Sequence, residues 1–193
     1  RNAMQSFALL DAIQELNIDA CIGGGRRDED KARAKERIFS FRDHEGTWNP
    51  LSQRPEPWTM LNGRINPGEN VRVFPLSNWT ELDVWNYIQR EQIALPSLYF
   101  THERLCVELP DGALMAYNPY VRLESTDVLV ERKVRFRTIG DMTCTAAIPS
   151  MAGSVEEVIT ELNQTQLSER GATRLDDRIS EAGMEDRKRQ GYF

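Results

Sequence analysis

The sequence is poor in cysteine and lysine, and it has no long hydrophobic run. Its three cysteines, Cys21, Cys106 and Cys144, stand far apart and form no Cys-x-x-Cys pair. This spacing argues against a disulfide framework, a zinc finger or an iron–sulfur cluster, and it favours a reducing compartment such as the cytoplasm. Because no stretch approaches the roughly 18 apolar residues of a membrane span and none has the features of a signal peptide, we expect no membrane association.

The charge balance excludes further function classes. A net charge of -6 argues against unselective binding to nucleic acid or to an acidic membrane. The 193 residues, 40% of them hydrophobic and 28% charged, are typical of a globular protein with one domain or at most two small ones. The basic residues comprise 20 arginines but only 4 lysines. Arginine suits bidentate contact with phosphate, sulfate and carboxylate, although a GC-rich coding bias explains the total equally well.

The start of the chain has the pattern of a βα unit. An apolar stripe from Phe7 to Leu16 has helical spacing, and residues 18–22 are typical of a short buried strand. Three glycines end this strand, and the charged segment from Asp28 to Ile38 predicts a helix. The order of helix, strand, glycine-rich turn and helix favours the α/β class, with an open parallel sheet and flanking helices.

The rest of the chain is predicted from local patterns. Residues 40–70 carry four prolines and two tryptophans, and we expect a long loop that is functional or bound to a partner. The charged tail, Ser168–Phe193, has few core residues. Between them we predict a strand at Val71–Pro75, a helix at Glu81–Glu91 with a Thr80–Asp83 cap and Trp85 in the core, a hairpin turning at Pro110–Gly112, and a helix at Val155–Leu162 capped by Ser154.

The glycine-rich segment after the first strand is the strongest candidate for a functional site. Its glycines let the backbone approach an anion closely, a helix start adds free amide groups, and Arg26 and Arg27 add paired guanidinium groups. A glycine turn followed by a solvated charged helix explains the pattern nearly as well, and no Gly-Lys-Ser/Thr follows to make a Walker loop. The residues predicted for nucleotide or anion binding are Gly23, Gly24, Gly25, Arg26, Arg27, Glu29 and Arg33.

Other candidate residues have simpler explanations. An alternation of basic and apolar residues predicts a strand with Arg135 and Arg137 on one face, either as a polar sheet edge or as a contact for an anion or a partner. His44 and His102 are isolated, without the arrangement of a catalytic triad or the spacing of metal ligands, so we predict no metal site. Cys144 has no basic neighbour and is interpreted as structural rather than nucleophilic.

Several long motifs together resemble one family. In their order and over nearly the whole chain, they resemble the small, ATP-binding subunits of bacterial heterodimeric sulfate adenylyltransferases, which are relatives of the phosphoadenylylsulfate reductases and of the wider pyrophosphatase-loop ATP family. The motifs are Gly23–Arg37 with Ser40–Arg42, Gln53–Glu56, Phe74–Trp85, Val134–Gly140 and Gln190–Phe193.

The resemblance implies an activity and partners. The family transfers AMP from ATP, with Mg2+, to sulfate and so gives adenylylsulfate and pyrophosphate in sulfate assimilation for cysteine biosynthesis. A large GTPase subunit couples the reaction to GTP hydrolysis. The enzyme contributes positioning and charge stabilisation, for which Arg26 and Arg27 are the expected catalytic residues. We expect residues 1–100 to be the remaining part of a nucleotide-binding domain with an adenine nucleotide α-hydrolase-like fold. Residues 101–193 are expected to be an irregular extension with a partner-docking tail.

The sequence departs from the family pattern in one respect. The family's pyrophosphate-binding loop, of the form Ser-Gly-Gly-Lys-Asp-Ser, is not found here, and the sequence opens on Arg1. We therefore expect an amino-terminal truncation, and little or no adenylylation by this chain alone. Two alternatives are a phosphoadenylylsulfate reductase-like enzyme, disfavoured because no cysteine follows Cys144 in this sequence, and a non-catalytic module that docks onto a GTPase.

Overall fold

The computed structural model describes residues 2–29, 37–49, 51, 53, 64–142 and 144–164. The chain divides into two compact units, of which the first ends at Trp79 and the second begins at Thr80. The sequence analysis placed this division near residue 100. The helix after Thr80 belongs to the second unit because its buried Trp85 packs in one cluster with Val158 of a later helix. Among the described residues, no helix is both long enough and apolar enough to cross a membrane.

The first unit combines a helix with a small mixed sheet. Helix α1 (Asn2–Glu15) precedes strands β1 (Ala20–Ile22), β2 (Phe39–Arg42) and β3 (Asn70–Val73). In the described part of the chain the strand order is β1-β3-β2, with β1 parallel to β3 and β2 antiparallel to it. The α/β class is confirmed, but the prediction of an open parallel sheet is wrong for these strands because β2 runs in the opposite direction.

Three elements predicted from the sequence fall in this unit. The helix predicted from the apolar stripe is confirmed as α1, in which Ile13 is buried. The strand predicted at residues 18–22 forms as β1, but it is not buried, because it lies at the sheet edge and Ile22 is 78% exposed. The helix predicted from Asp28 to Ile38 does not form at either described end, since Asp28 lies in a turn and Ile38 directly precedes β2. Its middle, residues 30–36, lies outside the described residues.

Strand β2 overlaps the start of the segment, residues 40–70, that the sequence predicts to be a long loop. Phe39 and Phe41 alternate with Ser40 and Arg42, which is the period-two pattern of a strand with two different faces. The loop prediction rested on the prolines and tryptophans of the segment as a whole. The short alternating run at its start was therefore overlooked, although the pattern is present in the sequence.

One face of this sheet is polar and buried. Cys21, Arg72 and Ser40 are register partners across the three strands, so their side chains share a face. Burial lowers the pKa of the Arg72 guanidinium, and the neighbouring Cys21 acts in the opposite direction. Arg42 also lies on this face, with its guanidinium carbon 5.9 Å from the ring centre of Trp48. The unit thus holds two arginines in its interior.

The second unit contains a small closed barrel. Its elements in chain order are α2 (Glu81–Glu91), a 3-10 helix (Ser97–Tyr99), β4 (His102–Glu108), β5 (Leu114–Ala116), β6 (Val128–Arg135), β7 (Ala146–Pro149) and α3 (Val155–Gln164). The strands close in the order β4-β5-β7-β6, and each neighbouring pair is antiparallel. The predicted hairpin is confirmed as β4–β5, with Gly112 at a φ of +80° in its turn. The irregular extension expected after residue 100 is wrong for the described residues.

The two α-helices described in the second unit begin at the predicted caps. The Thr80 hydroxyl oxygen accepts from the N–H of Asp83 at 3.1 Å, and the Thr80 N–H donates to the Asp83 carboxylate at 2.8 Å, which completes a capping box. Ser154 Oγ accepts from the N–H of Glu157 at 3.3 Å at the start of α3. Trp85 is buried, as predicted.

Neither alternative proposed for Arg135 and Arg137 is supported, because both arginines are buried in ion pairs within the unit. Arg135 donates from Nε and Nη2 to Oε1 of Glu161 at 3.0 and 2.6 Å, and the Ser150 hydroxyl donates to the other oxygen of Glu161. Arg137 donates from Nε to Oε1 of Glu81 at 3.1 Å and from Nη2 to Oε2. These two ion pairs hold the end of β6 and the segment after it against the two helices.

The buried ion pair between Arg137 and Glu81 predicts an effect on the stability of the protein. We expect Glu81→Gln to lower the free energy of unfolding by about 3–5 kcal/mol, because it removes the charge that neutralises the buried Arg137. Denaturant unfolding followed by tryptophan fluorescence measures the change. Glu91→Gln is the matched control on the same helix, since its pair with Arg90 is exposed and is worth less than about 1 kcal/mol. Equal, small losses for the two variants would contradict this role of Glu81.

The capping box predicts a pH effect. Hydrogen bonds from the backbone and then the side chain of Thr80 hold the pKa of Asp83 below its ordinary value. The stabilisation that the capping box gives the folded protein is therefore present at pH values above the ordinary aspartate pKa. It is lost as the pH falls through the lower pKa that Asp83 has in the folded state. In Thr80→Ala we expect the Asp83 pKa to rise only part of the way toward its ordinary value, because the hydrogen bond from the backbone N–H of residue 80 remains. Carboxyl NMR titration measures it, and an unchanged pKa would refute the side-chain contribution. Thr160→Ala, in α3, is expected to leave it unchanged.

Candidate functional site

Two segments meet at the carboxyl ends of β1 and β3. Because these strands are parallel, their carboxyl ends lie side by side, and the chain leaves both strands there. In open α/β sheets, ligands bind at the carboxyl ends of the strands. The N–H of Gly23 donates to the carbonyl oxygen of Val73 at 2.9 Å, and the N–H of Arg27 donates to that of Ser77 at 3.0 Å. We call the two joined segments, residues 23–29 and 74–78, the strand-end site.

The glycines of this site do not serve an unusual backbone conformation. Among the described residues, glycines with positive φ are Gly46, Gly68 and Gly112, so the run at 23–25 is not of this kind. A Cβ atom added to Gly24 would meet no other atom within 4 Å. The backbone of Gly24 is therefore open to a molecule from outside, as the sequence analysis expects of an anion site.

Arg26 is firmly held. It is 8% exposed, its backbone N–H donates to Oε1 of Glu29 at 2.9 Å, and its Nη1 lies 3.9 Å from the same oxygen. A carboxylate repels an anion, so this geometry suits Glu29 to orienting Arg26 rather than to direct contact with an anion. Arg27 is half-buried. Arg33 lies outside the described residues, and the binding roles of all these side chains stay predictions.

Ser77 is not among the site residues predicted from the sequence. Ser77 is 1% exposed, its N–H donates to the carbonyl oxygen of Phe74 at 3.0 Å, and its Oγ has no hydrogen-bond partner within the described structure. Burying a hydroxyl without a partner is costly, which makes this oxygen a candidate contact for a ligand. The polar turn after β3 was visible in the sequence, but nothing there distinguished Ser77 from Asn78.

Nucleophilic and metal chemistry find little support among the described residues. Burial raises the pKa of the Cys106 thiol, which disfavours the reactive thiolate. His102 is a structural residue of the second unit, because its Nδ1 lies 2.9 Å from the carbonyl oxygen of Phe100 and its ring stacks on Phe136. Within the ranges that the structure describes, no three His, Cys, Asp or Glu side chains are grouped as metal ligands.

Comparisons with known proteins identify relatives over the whole chain. Residues 1–147 match the family described as the phosphoadenosine phosphosulfate reductase domain. Sulfate adenylyltransferase subunit 2 of Mycolicibacterium gilvum (strain PYR-GCK) is 59% identical over all 193 residues. The protein of the same name from Mycobacterium tuberculosis (strain ATCC 25618 / H37Rv) is 58% identical over the same length. In both cases the chain spans 62% of the length of the curated relative.

The open space at Gly24 predicts that alanine substitutions at Gly24 and at Gly112 have opposite effects on stability. We expect Gly24→Ala to raise the free energy of unfolding by up to about 1 kcal/mol, because the backbone tolerates a side chain and the unfolded chain loses entropy. Gly112→Ala also meets no atom within 4 Å, but its φ of +80° makes it destabilising by roughly 1–2 kcal/mol. Thermal unfolding measures both. Equal destabilisation would mean that the conformation at Gly24 itself requires glycine.

Proposed function

The chain belongs to the phosphoadenosine phosphosulfate reductase domain family, and we propose that it is the nucleotide-binding subunit of a sulfate adenylyltransferase. In the proposed reaction a sulfate oxygen bonds to the α-phosphorus of ATP, the bond from that phosphorus to the bridging oxygen breaks, and pyrophosphate leaves. The observation that carries the proposal is the strand-end site, where arginines and an open glycine backbone adjoin a buried hydroxyl. The relatives named sulfate adenylyltransferase support this reaction.

This reaction requires a site that positions the two substrates and stabilises negative charge, and it does not require a nucleophile from the protein. The main-chain N–H of Arg27 donates to the Ser77 carbonyl oxygen, which fixes the backbone of Arg27 beside the segment after β3. Its half-buried side chain would neutralise charge on the sulfate or phosphate oxygens. Arg26 keeps a fixed position because Glu29 holds it. The open backbone of Gly24 leaves room for a close approach by the same oxygens, and the Ser77 hydroxyl offers one more donor.

Cofactor and partner follow from the same proposal. ATP would enter with Mg2+ on its phosphates, and a large GTPase subunit would couple the reaction to GTP hydrolysis in the cytoplasm. The name of the relatives, subunit 2, supports a partner subunit. The tail Ser168–Phe193, outside the described residues, is the proposed docking segment. We propose an adenine nucleotide α-hydrolase-like fold for the first unit, and little or no activity of this chain without its partner subunit.

A sulfonucleotide reductase is the second candidate, because the family description names that activity. Such a reductase attacks sulfonucleotide sulfur with a cysteine thiolate. Burial raises the pKa of Cys106 and makes this thiol a poor nucleophile. The second candidate would therefore need Cys21 or Cys144, neither of which belongs to the strand-end site.

Pyrophosphate release tests the proposal. The protein is co-purified with its natural partner subunit. The release of pyrophosphate from ATP is then measured in the presence and in the absence of sulfate. We expect sulfate-dependent release, and we expect Arg27→Ala to lower kcat/KM by roughly 100-fold or more, as for other groups that stabilise transition-state charge. Arg90→Ala is the matched control, because Arg90 is exposed and lies on the second unit's α2.

Two results would contradict the proposal. One is thioredoxin-dependent release of sulfite from phosphoadenylylsulfate without sulfate-dependent release of pyrophosphate, which would identify a reductase. The other is equal loss of activity in Arg27→Ala and Arg90→Ala, which would remove the strand-end site from the reaction.

A further inference from the structure

Strands β4 and β6 of the second unit place two arginines opposite each other. Arg104 and Arg132 are register partners in this antiparallel pair, so their side chains leave the same face of the two strands. Side chains of directly opposite residues begin about 5 Å apart, and like charges in that arrangement destabilise a sheet. We call these two residues the β4–β6 arginine pair. It costs folding free energy unless a negative charge offsets it.

The carboxylates of the second unit offset this charge only in part. Within the described part of the chain, none of the ion pairs includes Arg104. Oε2 of Glu108 lies 4.0 Å from Nη2 of Arg132, beyond hydrogen-bond distance, and both side chains are exposed. Glu103 and Glu131 belong to the opposite face of the two strands. The face that carries the β4–β6 arginine pair therefore keeps a net positive charge.

The side chain of Arg104 is held in place without the use of its outer donors. Its guanidinium carbon lies 5.6 Å from the ring centre of Phe136, which is buried. Nε of Arg104 is buried, whereas Nη1 and Nη2 stay accessible and donate to none of the described residues. A guanidinium fixed on an aromatic ring, with its outer edge free, is preorganised for two parallel hydrogen bonds to an oxyanion.

The comparison with the other arginines of this unit supports an external anion. Arg135 and Arg137 are buried, and each donates to a carboxylate of the same unit. Arg104 is half-buried and has no such partner among the described residues, and a second guanidinium stands opposite it. Two guanidinium groups match an ion that carries two negative charges on one centre and presents oxygens in several directions. Phosphate and sulfate are tetrahedral ions of this kind.

We propose that the β4–β6 arginine pair binds a free, doubly charged oxyanion of the phosphate or sulfate type. Nη1 and Nη2 of Arg104 donate to two of its oxygens, and the guanidinium of Arg132 donates to a third. The site belongs to the second unit, and its occupation does not depend on which reaction the strand-end site performs.

An NMR titration of the uniformly 15N-labelled full chain tests the proposal. The probes are sodium phosphate and sodium sulfate at a mildly alkaline pH, where both ions carry two charges. We expect saturable shifts of the backbone amides of Arg104 and Arg132 and of the Nε–H signal of Arg104. Sodium chloride at equal ionic strength is the control for salt. Adenylylsulfate, whose two charges lie on separate groups, is expected to shift these signals much less.

Four variants sharpen the test. Arg104→Gln is expected to raise the dissociation constant for phosphate roughly 10-fold or more, because it removes both fixed donors. Arg132→Gln is expected to raise it about two- to fivefold, because this side chain is exposed. Lys133→Gln is the matched control, since it removes an exposed cation on the opposite face of β6 and is expected to have no effect. Glu108→Gln removes the nearby carboxylate and is expected to tighten binding.

Several outcomes would overturn the proposal. They are shifts that do not saturate, equal responses to sodium chloride or to adenylylsulfate, and equal weakening by Lys133→Gln and Arg132→Gln. If Arg104→Gln fails to fold, the comparison of Arg132→Gln with Lys133→Gln decides the question. Absence of sulfate-dependent pyrophosphate release, with phosphate binding at Arg104 intact, would refute the proposed reaction alone. The failures of the two proposals are therefore distinguishable.

Discussion

The parallel pairing of β1 with β3 is the constraint on which the candidate site depends. It brings two segments that are distant in the chain to one edge of the sheet, and the hydrogen bonds from Gly23 to Val73 and from Arg27 to Ser77 continue the pairing beyond the strands. Without that register, residues 23–29 and 74–78 would not lie side by side. The chemistry proposed for the chain therefore rests on backbone geometry first and on charged side chains second.

Arginine has a structural use in the second unit and a proposed binding use in the strand-end site. Arg135 and Arg137 are neutralised by carboxylates and act as structural ties within the second unit. A buried guanidinium without such compensation would cost several kcal/mol. Arg26 also contacts a carboxylate, but at 3.9 Å and beside an open glycine backbone. The proposed anion contact therefore falls to the strand-end arginines, whereas the guanidiniums of Arg135 and Arg137 already donate to carboxylates at hydrogen-bond distance.

Local patterns predicted the elements that depend on neighbours in the sequence. The capping residues Thr80 and Ser154 and the turn at Gly112 were all identified, because a cap or a turn is formed by residues a few positions apart. The ion pairs of Arg135 and Arg137 were not, since Glu161 and Glu81 lie far away in the chain. The exposure of β1 and the reversal of β2 were missed for the same reason. The glycine–arginine segment was correctly expected to follow a strand, but the buried Ser77 hydroxyl follows from packing, which no sequence pattern encodes.

The central claim is that an oxyanion of the proposed reaction contacts the strand-end site. Hydrogen–deuterium exchange of the protein in its native complex, with and without adenylylsulfate, tests it most directly, with peptides covering β4 as the internal reference. The account predicts slower exchange in residues 23–27 and 74–78 and no change in β4, because a bound anion occupies loop amides and restrains both segments. Unchanged exchange in both segments at saturating adenylylsulfate would contradict it.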